Sequence, residues 1–240
     1  MPQNRINILS TKALDQALIE GVSAKNAVVD AISLIKTEPV LTIGVLEEIG
    51  KLWMRSTAIA FTSVNAVEAI VKGFDQQKIN PPHWKIFCIG YSTKQAVVKY
   101  FGEKSIAGVG DNAKELAKAI LNANVSELIF FCGDQRRDEL PALLKKQVNV
   151  KEIIVYKTIA TPKRIEKKYE AILFFSPSAV KSFFEYNLPA DQTVLFAIGK
   201  TTADEIKKFS KNKVVISDLP ERGLLLNNVI NYFRTNPIHH

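Results

Sequence analysis

The stretch Phe61–Val67 (FTSVNAV) recurs later in the chain at 174–180 as FFSPSAV. Each copy has the apolar end of a strand, a serine that can cap a helix, and an Ala-Val pair in the first helical turn. A second pair of copies lies at 86–93 (IFCIGYST) and 195–202 (LFAIGKTT), where a glycine ends the apolar run. The chain therefore contains an internal duplication of strand–turn–helix units.

Two weaker sequence similarities extend the duplication. The segment 32–37 (ISLIKT) resembles 153–158 (IIVYKT), and 6–10 (INILS) resembles 128–132 (LIFFC), so that four segments occur in the same order in both copies. The strand segments show no polar alternation and each is followed by a helical pattern, which is typical of a parallel sheet covered on both faces. The pattern predicts an α/β fold with two similar doubly wound parallel-sheet domains of roughly five strands each.

Composition excludes several classes of protein. With 240 residues, of which 47% are hydrophobic and 23% charged, the chain has the balance of a globular protein. No apolar run approaches the ~18 residues of a membrane span, and the polar start at 1–5 predicts no signal peptide. Cys88 and Cys132 lie in apolar runs, as reduced structural thiols of a cytoplasmic protein do. The net charge of +8 favours an anionic partner.

The domain boundaries have two interpretations. Proline interrupts the pattern at two matching places, Pro39 and Pro162. If the chain crosses between domains at both, residues 40–157 form an inserted domain and 1–36 plus 159–240 form a discontinuous one. The connectors are then 37–39 and about 157–162. A tandem split near Asn124 fits the repeat equally well.

Polar residues follow the predicted strands at the ends where α/β sheets bind ligands. They are hydroxyl, amide and lysine side chains at the starts of helices, where unpaired N–H groups favour carboxylates and phosphates. The candidate binding residues are Lys12, Thr62, Ser63, Asn65, Ser92, Thr93, Ser176, Ser178, Lys200, Thr201 and Thr202. Helix capping alone is the alternative interpretation for each of them. Tyr156 stands apart, because its counterpart in the repeat is the aliphatic Ile35, and we weigh packing against a functional hydroxyl there.

Other motifs are incomplete. Gly199-Lys200-Thr201 resembles the end of a phosphate-binding loop, but Val194 occupies the position of the required earlier glycine. Residues 108–113 (GVGDNA) match a dinucleotide-binding pattern only in isolation. The chain has 3 histidines, His83 and the terminal His239 and His240, which are too few for a catalytic triad or a metal site at known spacings.

Four motifs together resemble the uroporphyrinogen-III synthase family of tetrapyrrole biosynthesis. They are FTSVNAV at 61–67, VYKT at 155–158, FSPSAV at 175–180 and AIGKTTA at 197–203. The resemblance implies two α/β domains joined by a two-stranded connector, with both chain ends in one domain, and so selects the discontinuous division. One departure is Lys12, where the family often has arginine; lysine keeps the charge without the bidentate fork.

The resemblance also implies an activity. The family closes hydroxymethylbilane, a linear tetrapyrrole polycarboxylate, to uroporphyrinogen III with inversion of the terminal ring and loss of water, using neither metal nor organic cofactor. It implies that Tyr156 acts on the leaving hydroxyl and that the binding residues named above hold carboxylates. The expected protein is a cytoplasmic monomer with no nucleic-acid or membrane partner. Its rivals are a two-lobed module that binds an anionic ligand without catalysis and a nucleic-acid binder.

Overall fold

The computed structural model describes residues 5–23, 26–53, 55, 57–77, 83–217 and 222–236. The chain divides into two compact units. Unit 1 joins Met1–Lys36 to Ile159–His240, and unit 2 is Thr37–Thr158. The terminal His239 and His240 lie outside the described residues.

Strands and helices alternate along most of the chain. In chain order the elements are β1 (Ile6–Ser10), α1 (Gln16–Ser23), β2 (Ala27–Ala31), β3 (Ile35–Pro39), α2 (Ile43–Trp53), β4 (Ala58–Phe61), α3 (Val64–Gln77), β5 (Lys85–Ile89), α4 (Tyr91–Phe101), β6 (Ile106–Gly110), α5 (Ala113–Asn122), β7 (Glu127–Gly133), α6 (Glu139–Leu144), β8 (Asn149–Ala160), β9 (Ala171–Phe174), α7 (Pro177–Phe184), β10 (Val194–Ala197), α8 (Lys200–Ile206), β11 (Val214–Ile216) and α9 (Arg222–Thr235). A short 3₁₀ turn, Glu103–Ser105, precedes β6.

Unit 1 is built on a five-stranded sheet with the order β2-β1-β9-β10-β11, in which every neighbouring pair is parallel. Alternate strand residues pack on opposite faces, as a pleated strand requires. Ile8 and Leu173 pack with α1 and α9 on one face, and Leu9 and Phe174 pack with α7 and α8 on the other. Both faces are therefore covered by helices.

Unit 2 is built on a six-stranded sheet with the order β3-β8-β7-β4-β5-β6. The pairs from β8 to β6 are all parallel. Ile59 and Phe61 face α3 and α4, whereas Ala58 and Ala60 face α5 and α6. The predicted class, two parallel-sheet α/β domains wound on both faces, is confirmed.

The two sheets share one strand order once the repeat is taken into account. The repeat pairs β1 with β7, β4 with β9 and β5 with β10. With β2 matched to β8 and β11 to β6, the order β2-β1-β9-β10-β11 corresponds to β8-β7-β4-β5-β6. Of the five matched strands, each unit thus takes two from one copy of the repeat and three from the other, and β3 is an additional strand of the unit 2 sheet. The chain passes from unit to unit within β3 and again within β8.

Both cysteines are free and buried, as predicted from their apolar surroundings. Burial raises the pKa of each thiol to about 11. The thiols are therefore protonated at neutral pH and behave as small apolar core residues. In the described part of the chain, no helix combines the length and the apolar character that crossing a bilayer requires.

The Asn187 side chain links the end of α7 to the segment 163–165 by hydrogen bonds. This side chain is only 8% exposed. The Oδ1 atom accepts a hydrogen bond from the Ile165 N–H at 2.8 Å, and Nδ2 donates to the carbonyls of Lys163 and Phe183, each at 2.8 Å. A side-chain amide suits this position because its oxygen accepts one hydrogen bond while its NH₂ group donates two.

We expect Asn187→Ala to lower the free energy of unfolding by about 2–3 kcal/mol, because buried backbone groups lose their partners. Urea denaturation at neutral pH measures the loss. Asn231→Ala, on the exposed side of α9, is the matched control and should change stability by less than about 0.5 kcal/mol. Equal losses for both variants would contradict the assignment.

A polar cluster fastens the edge strand β2 to the chain before β9. The Asp30 carboxylate accepts hydrogen bonds from Lys167 Nζ at 2.8 Å and from the Tyr169 hydroxyl at 2.9 Å. The bond from Lys167 lowers the pKa of Asp30, against the opposing effect of burial. Burial, and then the hydrogen bond to Asp30, raises the pKa of Tyr169.

These shifts predict a pH-dependent contribution to stability. A lowered carboxyl pKa stabilises the fold above the ordinary value of about 4, and this stabilisation is lost as the pH falls through the folded pKa. A raised phenol pKa stabilises the fold below about 10 and is lost as the pH rises further. We therefore expect Asp30→Asn to lower the free energy of unfolding at pH 7. Between about pH 5 and 3, that free energy should fall less for the variant than for the parent protein. Thermal unfolding across that range tests this, and parallel curves for both proteins would refute it.

Candidate active site

The carboxyl ends of the unit 2 strands lie along one edge of the sheet, because the strands from β8 to β6 are parallel. Thr62 and Ser63 follow β4 at this edge, and Ser92 and Thr93 lie in the first turn of α4, after β5. Tyr156 lies in β8, opposite the last residue of β7. The unit 2 residues predicted from the sequence therefore share one edge of one sheet.

Tyr156 reaches across a neighbouring strand. In the sheet order, β7 separates β8 from β4. The Tyr156 hydroxyl nevertheless lies 3.1 Å from Oγ of Ser63, which follows β4, and either oxygen can be the donor. This contact places a phenol at the edge of the sheet with its hydroxyl held by a second hydroxyl.

Gly133 makes this crossing possible. A register shift between Cys132 and Gly133 pairs Gly133 with Tyr156. A Cβ atom added at Gly133 would lie 2.4 Å from Cζ and 2.7 Å from the hydroxyl oxygen of Tyr156, distances that van der Waals contact forbids. The phenol thus occupies the space that any other side chain at position 133 would fill. Sequence reasoning missed Gly133; the only signal was a glycine directly ending an apolar strand.

Ser63 has a second contact that fixes its orientation. Its Oγ accepts a hydrogen bond from the Ala66 N–H at 3.2 Å, as a helix-capping serine does at the start of α3. The Tyr156 hydroxyl is therefore bound to a side chain that the helix already holds. Thr62 and Asn65 flank Ser63 and are both partly buried.

The predicted residues of unit 1 line the equivalent edge of its own sheet. Lys12 follows β1, Ser176 and Ser178 follow β9, and Lys200 and Thr201 begin α8 after β10. Ser176 caps α7 by accepting a hydrogen bond from the Ala179 N–H at 3.2 Å, as Ser63 caps α3. The Lys200 ammonium lies 3.5 Å from Asp204 and is largely exposed.

Two predicted hydroxyls point into the fold. Thr93 is 5% exposed and Thr202, its counterpart in the repeat, is 2% exposed. Their neighbours Ser92 and Thr201 are exposed. In the first turn of each helix, the residue in the third position is buried, so neither threonine offers a ligand a freely accessible hydroxyl. The Thr202 N–H also has a partner, because it donates to the Gly199 carbonyl at 3.1 Å.

The glycine-rich segment at 108–113 is closed to a phosphate. Asn112 caps α5 by accepting a hydrogen bond from the Glu115 N–H at 3.1 Å, and Glu115 accepts one from the Asp111 N–H at 2.9 Å. This reciprocal capping occupies the N–H groups of Asp111 and Glu115, which a phosphate at the start of α5 would otherwise compete for. Across the described ranges, no group of three or more histidine, cysteine, aspartate or glutamate side chains could hold a metal ion.

We expect Gly133→Ala to displace the Tyr156 ring, because its Cβ would overlap the phenol. The expected result is a loss of about 2–3 kcal/mol of stability, typical of overpacking. In the Tyr156→Ala background the same substitution should cost less than about 1 kcal/mol, because the clash is gone. A double-mutant cycle by urea denaturation measures this coupling, and additive losses would disprove the contact.

The comparisons with known proteins agree on one family. The family model described as uroporphyrinogen-III synthase HemD matches residues 16–227. A mutant uroporphyrinogen III synthase from the extremely thermophilic bacterium Thermus thermophilus is similar in fold, with 15% identity, a TM-score of 0.63 and coverage of 96% of this chain and 99% of that one. Uroporphyrinogen-III synthetase from Helicobacter pylori is similar too, with 15% identity, a TM-score of 0.63 and coverage of 95% and 99%.

The sequence matches no curated protein at a significant level. Structural likeness at this identity shows the shared fold. The family model carries the assignment, because it spans most of the chain and includes the predicted edge residues of both units except Lys12. The resemblance read from the four sequence motifs is thereby confirmed, and the chain belongs to the uroporphyrinogen-III synthase family.

Proposed function

We propose that this chain closes hydroxymethylbilane to uroporphyrinogen III, inverting the ring at one end of the bilane and releasing water, and that Tyr156 is its catalytic residue. The observation that carries the proposal is the phenol of Tyr156, held across Gly133 at the carboxyl edge of unit 2 with its hydroxyl 3.1 Å from Ser63. Among the residues predicted for the site, Tyr156 is the phenol, and its partly exposed side chain can donate its hydroxyl hydrogen to a leaving group.

The first step is departure of the hydroxyl. The pyrrole nitrogen of the ring that bears the hydroxymethyl group pushes electrons toward the carbon, the C–O bond breaks, and an azafulvene forms. Tyr156 donates its hydroxyl hydrogen to the departing oxygen, which leaves as water once protonated. Ser63 holds the phenol in the orientation for this transfer, and a positioned acid contributes roughly 10²–10⁴-fold to such a step.

The later steps rearrange carbon bonds. The substituted carbon of the ring at the other end attacks the azafulvene carbon and gives a spiro intermediate. The original bond between that ring and the chain then breaks, and the freed bridging carbon bonds to the ring's other α-carbon, across the nitrogen, which inverts the ring. The proton lost from this α-carbon restores the pyrrole and returns to the Tyr156 phenolate. The substrate closes without inversion when left alone, so the protein acts chiefly by holding one fold of the bilane.

The binding residues hold the carboxylates of the bilane. We assign this role to Thr62, Ser63, Asn65 and Ser92 in unit 2 and to Lys12, Ser176, Ser178, Lys200 and Thr201 in unit 1. Thr93, whose side chain is buried, contributes through its N–H group at the start of α4. Thr202 is buried too and its N–H donates to the Gly199 carbonyl at 3.1 Å, so its part is to order the start of α8 beside Thr201. In the described structure, α4 and α8 are preceded by Gly90 and Gly199, and neither helix start has a side-chain capping hydrogen bond.

The charge of the chain suits a polycarboxylate partner. The net charge of +8 favours an anion carrying an acetate and a propionate on every ring. We propose that the protein acts as a cytoplasmic monomer without a metal or an organic cofactor and binds neither nucleic acid nor membrane. A module that binds the same anion without converting it is the alternative, and product analysis separates the two.

We expect Tyr156→Phe to lower kcat for uroporphyrinogen III about 100-fold, because the leaving hydroxyl loses its proton donor. KM should change less than threefold, since the ring and its packing remain. The measurement supplies hydroxymethylbilane, oxidises the products and separates the type III and type I isomers. Tyr186→Phe, at an exposed tyrosine after α7, is the control and should match the parent.

Two outcomes would refute parts of this proposal. If the parent protein bound the bilane and released only the type I isomer, the chain would be a binding module. If Tyr156→Phe formed the type III isomer as fast as the parent, the role assigned to the phenol would be wrong while the overall reaction stood.

A further inference from the structure

Tyr156 lies at the level where the backbone of β7 ends. The last residue of β7, Gly133, pairs with Tyr156. The chain then makes a tight turn, in which the Arg136 N–H donates to the Gly133 carbonyl at 3.2 Å. Strand β8 continues beyond this level to Ala160. The part of β8 that follows Tyr156 therefore needs another partner than the strand β7 itself.

Asp134, the first residue after β7, supplies that partner. Its N–H donates to the Tyr156 carbonyl at 3.1 Å, and its side-chain Oδ1 accepts from the Thr158 N–H at 2.9 Å. In a parallel pair of strands, a residue donates its N–H to one carbonyl and accepts, at its own carbonyl, from the N–H two positions further along. Asp134 follows this pattern with its carboxylate in place of its backbone carbonyl. The side chain thus extends the pairing past the point where β7 turns.

These bonds lie between Tyr156 and the point where β8 leaves the unit. Thr158 is the last residue of unit 2, and the strand continues from there into unit 1. The Gln135 side chain adds a hydrogen bond to the Thr158 carbonyl at 3.3 Å. The segment after Gly133 therefore holds the backbone of β8 directly after the residue that carries the phenol.

The phenol depends on the position of this backbone. Its ring lies so close over Gly133 that an added Cβ would be 2.4 Å from Cζ. Its hydroxyl lies 3.1 Å from Ser63 Oγ. Two hydroxyls about 3.6 Å apart are no longer hydrogen-bonded, so a shift of the Tyr156 backbone by a fraction of an ångström is enough to separate the phenol from Ser63.

We propose that Asp134 is a positioning residue for the reaction: its carboxylate, bound to the Thr158 N–H, holds the register of β8 that sets the Tyr156 hydroxyl against Ser63. The inference rests on the proposed function, because Asp134 acts through the catalytic role of Tyr156. The required property is an acceptor oxygen at a fixed place. Asparagine offers an oxygen at that place without the charge, whereas glutamate keeps the charge and moves the oxygen by one methylene.

The first test measures kcat and KM for hydroxymethylbilane. We expect Asp134→Ala to lower kcat about 10-fold with KM within about twofold, because a displaced catalytic group slows the chemical step. Asp134→Asn should keep kcat within about twofold of the parent, and kcat of Asp134→Glu should lie clearly below that of Asp134→Asn. Asp138→Ala is the matched control and should leave kcat unchanged. Asp138 is an exposed carboxylate on the same loop, 3.4 Å from Arg136.

A double-mutant cycle separates positioning from a general loss of structure. In the Tyr156→Phe background, Asp134→Ala should lower kcat by less than about twofold more, because no hydroxyl remains to be positioned. A further fall as large as that in the parent background overturns the assignment. Should Asp134→Ala not fold, the two conservative variants decide, since a fully active Asp134→Glu beside an impaired Asp134→Asn would make charge, and not the fixed oxygen, the required property.

Hydrogen exchange followed by NMR tests the contact without any activity. The Thr158 amide should exchange about 10-fold faster in Asp134→Ala than in the parent and in Asp134→Asn, because it loses its acceptor. Equal exchange rates in all three proteins reject the role of Asp134. If the parent protein makes no uroporphyrinogen III, the proposed function fails, and the exchange rates still decide whether Asp134 holds the strand beside Tyr156.

Discussion

The contact between the Tyr156 ring and the backbone of Gly133 is the constraint on which the candidate site depends. Tyr156 and Ser63 belong to segments on either side of β7, and strands two positions apart are separated by roughly 10 Å. The phenol can span that gap only by lying over the intervening strand. A register shift in the pairing of β7 with β8, where Val155 is the extra residue of β8, brings the residue without a side chain to the position beneath the ring. The length of the tyrosine side chain, the strand register and the absence of a side chain at Gly133 together set the position of the Tyr156 hydroxyl.

The duplicated sheet explains why similar residues line both edges while their chemistry differs. Both units arrange corresponding strands in the same order, so a capping serine follows the central strand in each, Ser63 in one and Ser176 in the other. Divergence occurred at the surrounding positions. The twelve-residue strand β8 carries Tyr156. The corresponding N-terminal segment is divided by residues 32–34 into two strands, β2 and β3. The duplication therefore gave both edges a capping serine, and Tyr156 lies at only one of them.

The sequence was sufficient for the features that depend on local patterns. Apolar runs ending in glycine or serine predicted the parallel strands, and four motifs in order predicted the family. Features that depend on three-dimensional register could not be predicted in this way. The burial of Thr93 and Thr202 follows from which side of a helical turn faces the sheet. The role of Gly133 follows from a one-residue bulge, and bulges leave no distinct mark in a single sequence.

The scarcity of fixed cations at the predicted site has a chemical reason in the proposed reaction. The ring at one end of the bilane must turn over after the spiro intermediate forms, and its carboxylates must move with it. Bidentate ion pairs on that ring would have to break for each turnover, whereas hydroxyls and helix N–H groups exchange partners at a lower cost, since neutral hydrogen bonds are about half as strong as charge-assisted ones. The ring that loses the hydroxyl has the opposite requirement, because its carbon must meet both the Tyr156 proton and the incoming ring. In the proposed reaction, the Tyr156 hydroxyl held by Ser63 meets this requirement at a fixed point. Hydroxyls, helix N–H groups and the flexible side chains of Lys12 and Lys200 can follow the carboxylates that move.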